Sequence, residues 1–150
     1  MKTGKGETEG MKITIPKRYQ KYLNAMSEVG ILKSKENLID VFTLGMEDII
    51  QDLKLGAGDF PPDMDKSFLK GKLIELHIPY EFSEKEKEEI AIIRKAFKVS
   101  HKTIVRAFFV QGLFEYWLDL KGSERYKKDS EFRKLIDNMP HDSFYDLPNI

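Results

Sequence analysis

Two short segments carry the side chains whose types and spacing could do chemistry. Met11-Lys12-Ile13-Thr14-Ile15-Pro16 and Ile74-Glu75-Leu76-His77-Ile78-Pro79 each alternate apolar with polar residues and close on an Ile-Pro pair. Alternation at period two places Lys12 and Thr14, or Glu75 and His77, on one face of a strand as a row of hydrogen-bond donors and acceptors. Met11, Ile13 and Ile15, or Ile74, Leu76 and Ile78, then face inward. Such a row suits recognition, and nothing beside it suits catalysis. There is no cysteine, which excludes a disulfide scaffold, a thiolate metal site and a cysteine nucleophile together. His77, His101 and His141 do not have metal-ligand spacing, so neither metal nor cofactor is expected. No glycine-rich phosphate loop, nucleophile elbow or metal-binding helix motif is present, and carboxylate pairs such as Asp40 and Asp48 are too common to mark a site. The chain reads as a non-enzyme.

The elements that must position these rows form a repeat. Each strand is followed by a helix-period stretch, a break, a serine and a second helix-period stretch. In the first copy, helix A is expected over roughly Lys17 to Val29, with Tyr19, Leu23 and Met26 on one face and Gly30 stopping it. Ser34 then caps helix B, roughly Lys35 to Lys54, burying Leu38, Val41, Phe42, Ile49 and Leu53. In the second copy, Ser83 followed by Glu86 is a capping box that opens a helix carrying Ile90, Ile93 and Phe97, and Ser100 caps the next. Capping alone accounts for Ser34 and Ser100, at about 1 kcal/mol each. Leu44-Gly45-Met46-Glu47-Asp48 aligns with Gln111-Gly112-Leu113-Phe114-Glu115, whereas Ser34 and Ser100 align one residue out of step with these ends. The resulting units are a mobile tail over 1–10, a first unit over 11–54, a linker over 55–70, a second unit over 71–121 and a C-terminal extension over 122–150. Within the extension a short helix is expected from Glu131 to Asn138. The last residues, through Phe144, Tyr145 and Leu147, read as a peptide that docks on the body or meets a partner.

Composition bounds the rest. With 150 residues, 41% of them hydrophobic and 11% aromatic, the chain can bury a core. Its 25 basic and 25 acidic side chains cancel, so any nucleic-acid partner must be argued from local arrangement. No apolar run approaches the roughly 20 residues that span a bilayer, and a soluble, cytoplasmic protein without membrane contact is expected. The second helix B, with Phe108, Phe109, Phe114, Tyr116 and Trp117, is apolar around more than one face. That surplus calls for a cover, from the C-terminal extension or from self-association.

A single strand leaves backbone groups unpaired on both edges and has no partner within its own unit. The expected fold is therefore mainly α with a two-stranded antiparallel β-ribbon: one ribbon face on the helices, the other bare. A bare ribbon has the width of the major groove of B-DNA. The strand ending in Pro, the two helices, and the serine opening helix B in Lys33-Ser34-Lys35-Glu36 and Val99-Ser100-His101-Lys102 resemble the ribbon-helix-helix family, whose β-ribbon readers include Arc and MetJ. Two copies in one chain resemble the tandem ribbon-helix-helix transcription regulators of archaeal viruses, a pseudo-dimer in one polypeptide. The resemblance implies double-stranded DNA as partner, in the host cytoplasm if viral. It implies base reading by Lys12, Thr14, Glu75 and His77, with Lys72 or Leu73 at the strand start, and phosphate contacts around Ser34, Lys35, Ser100, His101 and Lys102. Glu75 departs from this pattern by placing a carboxylate toward phosphates, although Glu can accept from cytosine N4. The alternative from another class is an antitoxin or adaptor whose C-terminal extension binds a protein.

Overall fold

The structure is a computed structural model that describes residues 10–28, 35–54 and 71–138. The N-terminal tail through residue 9, Gly30, Ser34, the linker over 55–70 and the peptide from residue 139 onward lie outside the described residues.

The order of elements is β1 (Met11–Pro16), a 3-10 turn (Lys17–Tyr19), α1 (Gln20–Glu28), α2 (Lys35–Lys54), β2 (Leu73–Ile78), α3 (Glu84–Phe97), α4 (His101–Lys121), α5 (Glu124–Lys128) and α6 (Ser130–Asp137). The described chain is mainly helical with one two-stranded antiparallel sheet. β1 pairs with β2 so that Ile13 faces Leu76, Lys12 faces His77 and Thr14 faces Glu75. Gly10, at φ +69°, leads into β1 where a Cβ would collide with the carbonyl of Ile78, so only glycine fits there.

Ile13, Ile15 and Ile78 are buried under the ribbon, and Met11, Ile74 and Leu76 are half-buried beside them. They rest on a core that includes Tyr19, Tyr22, Met26, Val41, Phe42, Ile49, Ile104, Phe108 and Phe109. Leu38 and Leu53, expected inside, are half-buried. The two long helices cross at a pair of glycines. A Cβ on Gly45 would strike the Phe108 carbonyl, and one on Gly112 the Val41 carbonyl, so each helix lets the other's backbone approach at this level.

Two expectations are corrected. The first helix A does not begin at Lys17: the residue before it is Pro16, whose side chain makes no capping hydrogen bond, and the chain takes a tight 3-10 turn before α1 starts at Gln20. α3, by contrast, begins at Glu84, where the Ser83–Glu86 capping box satisfies its first amides. The C-terminal extension holds a second short helix besides the one expected from Glu131 to Asn138: Ser123 Oγ accepts from the Tyr126 amide and opens α5. Asp129 then accepts from the Glu131 and Phe132 amides and opens α6.

Candidate nucleic-acid interface

Lys17 N donates to Lys72 O at 2.8 Å, continuing the register of β1 and β2. Bonded and non-bonded pairs alternate along an antiparallel ladder. The bonded pairs are therefore Ile15–Ile74, Ile13–Leu76 and Met11–Ile78, all turned inward. Lys12–His77, Thr14–Glu75 and Pro16–Leu73 are the non-bonded pairs, in which side chains lie closest. Lys12, Thr14, Leu73, Glu75 and His77, expected to read bases, thus share the outer face. Lys12, Leu73, Glu75 and His77 are exposed and Thr14 is half-buried. Leu73 keeps 43% of its surface open at the end of the ribbon. Lys12 Nζ stands 3.9 Å from Glu75 Oε1 across the strands, with the two side chains 70% and 60% exposed. An ion pair so open contributes little and exchanges readily with another partner.

The start of α4 is the second cluster. Ser100 Oγ accepts from the Thr103 amide at 3.2 Å and lies 3.0 Å from Thr103 Oγ1, while His101 and Lys102 are exposed. Burial, and then the Arg94 charge, hold the His101 pKa below its ordinary value of 6.5, and its ring meets Phe82 edge-on at 6.0 Å. Arg94, Lys95 and Lys98, all exposed, precede the cap, and the stretch Arg94–Lys102 has no acidic residue. These three cations were not singled out from the sequence, although a stretch with four Lys or Arg and no acidic residue signals them. Of the matching cluster in the first copy, Lys35 is the first residue of α2; Ser34 and the Lys35 side chain lie outside the described residues.

Several polar groups were not foreseen. Arg106, only 5% exposed, donates from Nε to the Thr14 carbonyl at 2.8 Å. Buried Gln111 donates from Nε2 to Asp48 Oδ2 at 2.8 Å. Burial first, then Asp48, raises the Glu115 pKa. Tyr80 donates to both oxygens of Glu86 at 2.8 Å. Its pKa is pushed up to about 12 by burial, then by Glu86 and Glu47. No period or spacing announces these contacts: those of Arg106 and Gln111 join residues far apart in the chain, and Tyr80 reaches forward from the loop before α3 to a residue of its first turn.

The cover sought for the second helix B comes from the same chain. Trp117 Nε1 donates to the Ile136 carbonyl at 2.8 Å, Tyr22 donates to the Asn138 carbonyl at 2.7 Å, and Phe132 and Ile136 are buried. Tyr116 remains half-buried and Leu118 is 46% exposed. Among the described residues, no group of three or more metal-ligating side chains gathers and no helix is long and apolar enough to cross a membrane. Compared with known proteins, the chain matches no family model, no curated protein and no solved structure.

Proposed function

We propose that this chain is a sequence-specific double-stranded DNA-binding transcription regulator, a tandem ribbon-helix-helix pseudo-dimer that inserts its β-ribbon into the major groove and rests helix N-termini on phosphates. The observation that carries this reading is the ribbon's outer face, where exposed Lys12, Glu75 and His77 and half-buried Thr14 meet in two side-by-side pairs on one two-stranded element. Their donors and acceptors suit base edges, and the ribbon's width suits the groove.

The symmetry of the contacts supports a pseudo-dimer. Aligning Pro16 with Pro79 matches Ile13 with Leu76, and these two residues are themselves partners in the strand pairing. Aligning Gly45 with Gly112 matches Val41 with Phe108, the two carbonyls that each glycine approaches reciprocally. One pseudo-two-fold axis through both crossings accounts for the pattern, and it is the axis a DNA half-site pair would share. The charge argument is local: the basic stretch Arg94–Lys102 surrounds the α4 N-terminus, where free amides and the helix dipole favour an anion.

Selection of bound sequences from a random DNA pool by the full chain tests the proposal. The expected result is an enriched site of two related but non-identical half-sites, because Lys12 and Thr14 are matched by Glu75 and His77 in the second copy. Absence of binding by the folded chain overturns it.

A further inference from the structure

The outer face of the ribbon is polar except at one end. Its side chains run in pairs across the strands: Lys12 beside His77, Thr14 beside Glu75, and Pro16 beside Leu73. Pro16 is buried, whereas Leu73 is 43% exposed, which makes it the one exposed apolar side chain among the described residues of that face. The core does not call for it, because the core lies under the opposite face, where Ile74 and Leu76 are half-buried and Ile78 is buried. The other end of the ribbon carries no such group, and the backbone forbids one. Under the alignment of Pro16 with Pro79, the counterpart of Leu73 is Gly10. The pairing agrees: Leu73 lies opposite Pro16, and one step of the register beyond Met11 and Ile78 sets Gly10 opposite Pro79. A Cβ on Gly10 would collide with the Ile78 carbonyl and lie 2.8 Å from Pro79 Cα, at a φ of +69° that L side chains avoid. One end therefore presents a branched apolar side chain and the other bare backbone. Leucine has neither donor nor acceptor. Facing adenine, guanine or cytosine in the major groove, it would cover polar edge atoms without replacing their hydrogen bonds to water. Thymine alone offers a methyl group there, at C5, and covering it removes apolar surface of both partners from water.

We propose that Leu73 is a specificity-determining residue that reads the C5 methyl group of a thymine at one end of the DNA site, while the mate position beneath Gly10 is read by no side chain. This rests on the DNA-binding reading and deepens it. A required thymine at one end only gives the site a direction, and so orients a molecule whose two halves would otherwise be interchangeable on DNA.

The test takes the site that the full chain selects from a random DNA pool and replaces its thymines one at a time by deoxyuridine, which removes the methyl and leaves the base pair and O4 in place. The half in which Leu73 acts is the one whose discrimination Thr14→Ala and Glu75→Ala relax, since these two residues are its neighbours on the outer face. The wild type is expected to lose about fourfold in affinity at one thymine of that half, with no comparable loss at the mate position of the other half. Leu73→Ala is expected to bind thymine and deoxyuridine alike at that position. Its circular dichroism is expected to match the wild type and its affinity for random DNA to stay within about twofold, since the phosphate contacts remain. Leu73→Met, which keeps an apolar reach, is expected to retain the preference for the methyl. A selected site with no thymine at that end overturns the proposal while DNA binding stands. So does a deoxyuridine loss that persists in Leu73→Ala, or an equal loss at the mate position. No binding by the folded chain overturns the functional reading and, with it, the role of Leu73.

Discussion

The proposed function gives each side chain of the candidate interface a separable role. Thr14 and His77 stand on the outer face of the ribbon, so Thr14→Ala or His77→Ala is expected to weaken binding to the preferred sequence by about 1–3 kcal/mol and to leave random-sequence binding nearly unchanged. Lys102 stands exposed in the first turn of α4. Lys102→Ala is expected to weaken both kinds of binding and to flatten the logarithmic salt dependence by about one unit. Gel-shift titrations at several salt concentrations check both. His101 adds a pH dependence, because burial and Arg94 disfavour its charged form in the folded chain. The unfolded chain then binds this proton more readily, so stability rises with pH through the range below 6.5 and is lost as pH falls. Phosphate acts in the opposite sense by favouring the imidazolium. DNA affinity is therefore expected to rise on acidification over the range where the fold persists, and His101→Gln to flatten that rise relative to the wild type. These residues were legible from the sequence because their direction follows from strand alternation and helix capping.

At the scale of elements, the crossing of α2 and α4 holds the molecule together, and two glycines permit it. A methyl at Gly112 would meet the backbone of Val41 and a methyl at Gly45 that of Phe108. Backbone cannot swing aside as a side chain can, so Gly112→Ala is expected to destabilise by about 1–3 kcal/mol, measured by urea unfolding. An alanine on a helix surface would instead stabilise through propensity, so the sign of the change is diagnostic. The sequence aligned the two glycines but did not reveal that they meet. The one-residue mismatch between caps and helix ends also has an explanation: α2 spans 20 residues and α4 spans 21, with the last residues, Lys54 and Lys121, in register. The extra residue sits at the start of α4. α6 is the element that covers Trp117. Deleting residues 123–150 is expected to shift tryptophan emission to the red and to lower the unfolding midpoint, because Trp117 and Tyr22 lose the Ile136 and Asn138 carbonyls together with apolar cover.

At the scale of the whole molecule, both strands of the ribbon come from one chain. A ribbon built from two chains makes stability depend on protomer concentration; one built within a chain does not. The urea midpoint of this protein is expected to stay constant over a hundredfold range of concentration, about 1 to 100 μM, and a midpoint that climbs with concentration would show that association contributes to the fold. For the proposed regulator this has a functional meaning. The two halves can diverge, as Thr14 and His77 or Ile39 and Arg106 have, without requiring two different gene products to find each other.

What the sequence alone determined is local: two strands with inward Ile and outward polar residues, the Ser83–Glu86 and Ser100 caps, and the long helices from Lys35 and from the residue after Ser100. These follow from the pleat, the helix period and the unpaired amides of a first turn, which act within a few residues. The tertiary structure decided the register that pairs Ile13 with Leu76, the glycine crossing, the seat of Trp117 under α6 and the bond from Arg106 to Thr14. Each depends on the distance between segments far apart in the chain. That distance is set by the volume of the core side chains between them, which no pattern along the chain encodes.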